Sequence, residues 1–266
     1  MPNCAVIDVG SNAIRLQVAR IQGPGPYEIL CEERKPVRLG EHVFLTGELA
    51  DAAVLRAVDA LKHFKEVTAV YQAELVRVVA TSAVREASNA VEFVRQVQEN
   101  TGLQIEVISG REEARLIHLG LRDSVPFEPD RPFLLIDIGG GSTEVSVATR
   151  SQILSSESLK LGAVRLTELF LKSDPIREKE FDRMVKFIRD TANRYMKATG
   201  DAKYEGAIGT AGTVSALAAL DQKMRDTDVR AASLGRKQLE AILNRLKAKP
   251  LAERRAWLGA EPASCS

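Results

Sequence analysis

The segment from Phe133 to Val147 constrains the fold more than any other part of the chain. Four apolar residues lead to Asp137, three glycines and two hydroxyl residues follow, and apolar and polar residues then alternate. This pattern predicts a strand, a tight turn and a second strand. Consecutive glycines have no Cβ atoms, so their N–H groups can turn toward one point and bind an anion. A hairpin turn that only needs positive φ is the alternative interpretation.

The start of the chain repeats this pattern and argues against the alternative. An apolar strand ends in Asp8-Val9-Gly10-Ser11, a second alternating strand follows, and half a chain length separates this turn from the glycine turn. The repeat indicates a duplicated domain. A helix over Asp51–Val70 followed by a strand over Leu75–Ala80 is typical of α/β units around a mixed sheet. Asn89 and Glu92 have the spacing of a capping box.

Composition excludes several classes of function. The chain has 266 residues, of which 45% are hydrophobic and 27% charged, as in an ordinary globular protein. A net charge of +1 gives no signal for binding a polyanion such as nucleic acid, so any attraction for phosphate must be local. Three dispersed cysteines indicate neither a disulfide framework nor a zinc site. Because long apolar runs and a signal-peptide pattern are missing, we expect a cytoplasmic protein without a membrane partner.

Proline residues mark the predicted domain boundary. Pro126, Pro129 and Pro132 lie among polar residues between two periodic segments. We therefore expect an N-terminal domain over residues 1–123 and a C-terminal domain over residues 124–266.

A third glycine turn follows later in the second half. Gly209-Thr210-Ala211-Gly212-Thr213 comes after a predicted strand at Tyr204–Ile208 and opens an Ala/Leu-rich helix. Amides at a helix N-terminus bind anions, although simple packing of a strand against a helix is the alternative interpretation. Two Asp–Gly–Ser turns, one in each half, resemble the actin/Hsp70/sugar-kinase superfamily, in which paired hairpins close on phosphates at the domain interface.

Further segments resemble the exopolyphosphatase/guanosine pentaphosphate phosphatase (Ppx/GppA) family in its short two-domain form. They occur in the family's order and are Ala5–Asn12, Ala80–Asn89, Ile108–Arg115, Ile136–Glu144, Leu161–Leu166 and Gly209–Thr213. The resemblance implies an α/β fold with two similar ribonuclease H-like (actin-like ATPase) domains. Each would be a mixed β-sheet with flanking helices, with an interdomain cleft between them.

The same resemblance implies a reaction. It is the hydrolysis of a terminal phosphoanhydride by water, aided by Mg²⁺ or Mn²⁺ and a glutamate base. We expect an exopolyphosphatase that releases orthophosphate from inorganic polyphosphate. A guanosine pentaphosphate 5′-phosphohydrolase, a polyphosphate- or nucleotide-binding regulator with little turnover, and a kinase are the alternatives.

Two residues are the predicted catalytic groups. Ser109 and Glu112 have S-x-x-E spacing, so we expect Glu112 to cap a helix. Glu113 lies about 100° further round that helix and, as the family's motif implies, is the predicted base. A solvated glutamate favoured by the helix dipole is the alternative. Arg85 is predicted to bind phosphate oxygens and offset transition-state charge, the alternative being a surface salt bridge with Glu86 or another neighbour.

The predicted metal and substrate ligands lie in the turns. Asp137 and Glu144 bracket the glycine turn and are the metal candidates, because Mg²⁺ keeps several waters and needs only one or two carboxylates. Arg15 ranks below Arg85, since it can also be simply solvated. The predicted substrate-binding residues are Asp8, Ser11, Asn12, Arg15, Gly139, Gly140, Gly141, Ser142, Thr210, Gly212 and Thr213.

The end of the chain departs from the family's pattern. Family members continue after the second-half helices with an Arg-rich turn, an apolar strand and a glycine, whereas here Arg254–Gly259 leads into Ala260–Ser266. The expected last strand and helix are not visible, so we expect a C-terminal domain that is truncated at its end. A missing element would expose a sheet edge, which favours a homodimer.

Overall fold

A computed structural model describes residues 1–23, 27–122, 131–199, 204–226 and 233–258. The strands are β1 (Asn3–Val9), β2 (Ile14–Arg20), β3 (Glu28–Lys35), β4 (Leu75–Ala80), β5 (Ile105–Val107), β6 (Phe133–Ile138), β7 (Thr143–Ala148), β8 (Ile153–Leu159) and β9 (Ala207–Thr210). The helices are α1 (Val43–Thr46), α2 (Asp51–Val70), α3 (Ser82–Glu86), α4 (Ala90–Thr101), α5 (Gly110–Arg122), α6 (Ala163–Phe170), α7 (Glu178–Thr199), α8 (Ala211–Met224), α9 (Arg236–Lys247) and α10 (Leu251–Leu258).

The first sheet has the strand order β3-β2-β1-β4-β5. Strand β1 is antiparallel to β2 and parallel to β4. Ala5, Ile7 and Val9 are buried on one face of β1, while Val6 between them is 49% exposed. This period-2 pattern places one apolar face of the sheet in a core that α2 and α4 complete.

The second sheet repeats this connectivity in the order β8-β7-β6-β9. Strand β6 is antiparallel to β7 and parallel to β9, as β1 is to β2 and β4. Helix α7 packs on β8, and α8 packs on β6 and β9. The predicted α/β fold with two similar mixed sheets is confirmed, although the described part of the second sheet contains no counterpart of β5.

The described chain divides into two compact units, and the division falls inside α5, between Glu113 and Ala114. The predicted boundary at residues 123 and 124 lies outside the described residues, as does most of the segment expected to be truncated, residues 259–266. The cleft expected between the halves stays a prediction. None of the described helices is long and apolar enough to cross a membrane.

One local prediction is shifted and another is wrong. The strand predicted at Tyr204–Ile208 is present but spans Ala207–Thr210, where it pairs with β6 from Leu134 to Asp137. Asn89 makes no side-chain cap on α4. Its amide group instead exchanges two hydrogen bonds with the backbone of Leu49, each 2.9 Å long, so a long-range contact replaces the local one.

Candidate active site

The glycine turn joins β6 to β7 and carries two carboxylates at its base. The amide of Gly139 donates to the carbonyl of Ser142 at 3.0 Å and closes the turn. Asp137 and Glu144 are directly opposite each other in the β6–β7 register, so they share one face of the sheet. The Thr210 hydroxyl donates to Asp137 Oδ2 at 2.5 Å, and the Ser158 hydroxyl donates to Glu144 Oε1 at 2.6 Å. Both carboxylates are therefore held in defined orientations.

The amides of this turn form a row of available donors. Among the described residues, Gly140, Gly141 and Ser142 find no acceptor for their N–H groups. Adjacent unsatisfied amides form a concave anion-binding surface. The turn thus brings the three adjacent amides of Gly140, Gly141 and Ser142 together.

The first turn, between β1 and β2, has the same backbone plan. The Gly10 amide donates to the Ala13 carbonyl at 3.2 Å, while Ser11, Asn12 and Ala13 donate their amides to no acceptor in the described part of the chain. Asp8 lies opposite Arg15 in the strand register. Each turn therefore presents three amides. In the first turn, two of the three belong to the predicted residues Ser11 and Asn12.

The third turn is strained and is tied to β6. Ala211 has φ of 68°, a left-handed conformation that is unusual for a non-glycine residue and that clusters at functional sites. The Thr210 hydroxyl is bonded to Asp137, and the Thr213 hydroxyl donates to the Ile138 carbonyl at 3.0 Å. These hydroxyls hold the end of β6, so any contact of Thr210, Gly212 or Thr213 with phosphate would come from the backbone.

The two predicted catalytic residues are in contact. Arg85 Nη1 donates to Glu113 Oε2 at 3.1 Å and to the Ile108 carbonyl at 2.8 Å. The side chains of Arg85 and Glu113 are 22% and 17% exposed, so Glu113 is not a solvated surface residue. The Ser109 hydroxyl accepts the amide of Glu112 at 3.1 Å, so a cap forms at the predicted serine. Glu113 is one residue further along and points to Arg85.

The carboxylate pair fits a hydrated divalent cation. Like charges directly opposite each other on neighbouring strands repel, and a cation between them offsets that repulsion. No group of three or more metal-binding side chains occurs in the described ranges. Two carboxylates with hydroxyl partners are nevertheless the kind of donor set on which Mg²⁺ binds while keeping most of its waters.

The structure adds residues that were not among the predicted catalytic, metal or substrate ligands. Ser158 orients Glu144. Gly162 and Arg165 contact the backbone of the glycine turn, and Gly40 makes the matching contact with the first turn. A repeated Leu-Gly pair, Leu39-Gly40 and Leu161-Gly162, is the sequence signal that accompanies this correspondence.

Two mixed sheets with the same strand connectivity, each with a glycine-containing turn after its aspartate-bearing strand, define a duplicated α/β fold. The chain belongs to the Ppx/GppA phosphatase family, whose model matches residues 17–260.

The relatives include proteins of both named activities. The chain is 35% identical over 240 residues to exopolyphosphatase 2 of Mycobacterium tuberculosis, covering 87% of this chain and 75% of that protein. It is 32% identical over 216 residues to a guanosine-5′-triphosphate,3′-diphosphate pyrophosphatase of Photobacterium profundum, covering 81% of this chain and 43% of that protein. The crystal structure of an exopolyphosphatase from Cytophaga hutchinsonii superimposes with a TM-score of 0.88 at 29% identity, over 95% of this chain and 82% of that one.

These findings confirm the predicted family and the predicted class of enzyme, a phosphoanhydride hydrolase similar to the exopolyphosphatases.

Proposed function

We propose that the protein is an exopolyphosphatase that removes the terminal phosphate of inorganic polyphosphate by Mg²⁺-dependent hydrolysis. The observation that carries this proposal is the pair of turns, each with three amides that lack an acceptor in the described chain. A run of phosphate groups offers many anionic oxygens to such donors. The relative matched over three quarters of its own length is also an exopolyphosphatase.

The residues divide the work as follows. The amides of each turn bind phosphate oxygens of polyphosphate. Asp137 and Glu144 would hold the metal ion, and the ion would neutralise charge that develops on the phosphate oxygens. Thr210 and Ser158 hold these two carboxylates in defined orientations.

Glu113 is the proposed base. It accepts a proton from the water that attacks the terminal phosphorus atom, the bond between that phosphorus and its bridging oxygen breaks, and the shortened chain leaves. Arg85 contacts Glu113 Oε2, so it fixes the orientation of the carboxylate and brings positive charge beside the attacking water.

Phosphate release from long-chain polyphosphate, measured with and without Mg²⁺, tests the proposal. Replacing Glu113 by Gln keeps the shape but removes the base, so we expect kcat to fall by about 10² to 10⁴-fold while polyphosphate still binds. Glu112→Gln is the matched control and should keep the rate. Full activity of Glu113→Gln would show that another group is the base. If the unaltered protein binds polyphosphate but releases no phosphate, it is a binding regulator and not a hydrolase.

Guanosine pentaphosphate is the second candidate substrate, favoured by the likeness to the Photobacterium profundum pyrophosphatase. It carries the same terminal phosphoanhydride, so the same residues would serve. Parallel assays with both substrates at equal concentration decide between them by kcat/KM. Transfer of phosphate from ATP to an acceptor other than water would instead indicate a kinase.

A further inference from the structure

The segment that leads into α6 packs directly on the backbone of the glycine turn. A Cβ atom added to Gly162 would lie 2.2 Å from the carbonyl oxygen of Gly140 and 2.3 Å from the carbonyl carbon of Gly141. Any side chain at position 162 would therefore push α6 and the turn apart. Glycine is required here by close approach of two backbones.

This approach lets α6 bond the carbonyl groups of the turn. The amide of Ala163 donates to the Gly139 carbonyl at 2.9 Å, and the amide of Val164 donates to the Gly140 carbonyl at 2.8 Å. Arg165 Nε donates to the Gly141 carbonyl at 2.7 Å. The first amides of a helix have no partner within the helix, so α6 uses them on the turn.

These bonds decide where the amides of the turn point. In a trans peptide the carbonyl group of one residue and the N–H group of the next point in opposite directions. Holding the carbonyls of residues 139–141 toward α6 therefore turns the N–H groups of Gly140, Gly141 and Ser142 away from it. Those are the three amides that find no acceptor among the described residues.

We infer that Gly162 and Arg165 are positioning residues that preorganise the phosphate-binding amides of the glycine turn. The inference rests on the proposed function, because it gives these amides a phosphate ligand. Arg165 is 6% exposed, so its guanidinium is a buried positive charge beside the turn. Because Arg165 is buried and bonded to a backbone carbonyl, it is suited to holding the turn and not to contacting a substrate that arrives from solvent.

Amide chemical shifts of Gly140, Gly141 and Ser142 provide the test, since they do not depend on turnover. Inorganic tripolyphosphate is added to ¹⁵N-labelled full chain without metal, and binding is followed at these amides. Arg165→Met keeps the volume but removes the donor, and Gly162→Ala adds the clashing methyl group. We expect each to weaken binding by about 10- to 100-fold, the range for loss of a hydrogen bond involving a charged group. Arg165→Lys should recover part of the loss, because it restores a cationic donor.

Gly206→Ala is the matched control, since its Cβ would be 3.8 Å from the nearest atoms of the Phe133 ring. It should bind as the unaltered protein does. Unchanged binding and unchanged amide shifts in folded Arg165→Met and Gly162→Ala would overturn the inference. If Gly162→Ala does not fold, the two Arg165 variants decide. If tripolyphosphate shifts these amide signals but the protein releases no phosphate from polyphosphate with Mg²⁺, the proposed hydrolysis is rejected and the inference is kept.

Discussion

The two turns can be compared position by position along one row of each sheet. In the first sheet the row across neighbouring strands is Val79, Asp8, Arg15 and Arg34. In the second sheet the corresponding row is Thr210, Asp137, Glu144 and Ser158. The first row combines one carboxylate with two guanidinium groups, whereas the second combines two carboxylates with two hydroxyl groups. The backbone plan is repeated, but the charge is reversed.

We propose that this difference separates the roles of the two turns. A carboxylate with two arginines in its row needs no added cation and suits direct contact with phosphate. Two carboxylates directly opposite each other repel, so this row suits a metal ion between them. We therefore propose that the metal ion binds at the second turn.

Among the variants that test this comparison, Glu144→Gln should have the largest effect on activity. The amide keeps the shape of the side chain but removes one negative charge from the metal site. A metal ion contributes several kcal/mol to stabilising the transition state, and tenfold in rate corresponds to about 1.4 kcal/mol. We expect kcat/KM to fall by about 100-fold or more, and the Mg²⁺ concentration at half-maximal rate to rise.

Arg15→Met is the counterpart in the first row. It removes a guanidinium group that would bind phosphate, so it should raise the KM for polyphosphate while the Mg²⁺ titration keeps its midpoint. If both variants shift the Mg²⁺ midpoint equally, the charge difference between the rows does not separate metal from substrate.

Gly40 and Gly162, which pack against the backbones of the first turn and the glycine turn, provide a second test with a smaller expected effect. A Cβ on Gly40 would lie 2.9 Å from the Ser11 Cβ and 3.1 Å from the Ser11 carbonyl oxygen, so the clash is milder than at Gly162. Arg38 and Gly40 donate their amides to the carbonyls of Asn12 and Ser11, at 2.8 and 2.7 Å. We expect Gly40→Ala to lower the free energy of unfolding by about 1–3 kcal/mol, as overpacking does. The KM should rise by about tenfold, the loss expected for one hydrogen bond of about 1.4 kcal/mol.

Denaturant unfolding and steady-state kinetics on Gly40→Ala and Gly162→Ala together check the ranking. A larger loss of affinity at Gly40 than at Gly162 would mean that the first turn carries more of the phosphate binding.

Sequence reasoning reached the repeated strand–turn–strand units because their signals are local. Period-2 alternation and a glycine turn after an aspartate are both visible within fifteen residues. The S-x-x-E spacing similarly located the cap in which the Ser109 hydroxyl accepts a hydrogen bond from the amide of Glu112, while capping by the Glu112 carboxylate stays a prediction. The partner of Arg85 was harder to identify, because Glu113 is 28 positions away along the chain.

The missed features depend on contacts between distant segments. Arg165 reaches Gly141 across 24 positions, and Ser158 reaches Glu144 from the next strand. Asn89 has a sequence suited to a helix cap, but the backbone of Leu49, 40 positions away, takes both of its hydrogen bonds. Spacing along the chain carries no signal for such pairings until the strand register is known.

Ser158→Ala is the most delicate test of the second row. It removes the 2.6 Å hydrogen bond to Glu144 Oε1 but leaves both carboxylates in place. Loss of a group that orients a metal ligand costs about 10- to 100-fold in metal affinity, and we expect the lower end because Asp137 keeps its own partner Thr210. Mg²⁺ titration of the rate measures the effect. Saturating Mg²⁺ should restore most of kcat, which loss of a ligand itself would not allow. Ser156→Ala, two positions earlier on β8, is the control and should leave the titration unchanged. An equal shift in both variants would mean that β8 acts on the site through packing, and the hydroxyl of Ser158 would then have no role in orienting Glu144.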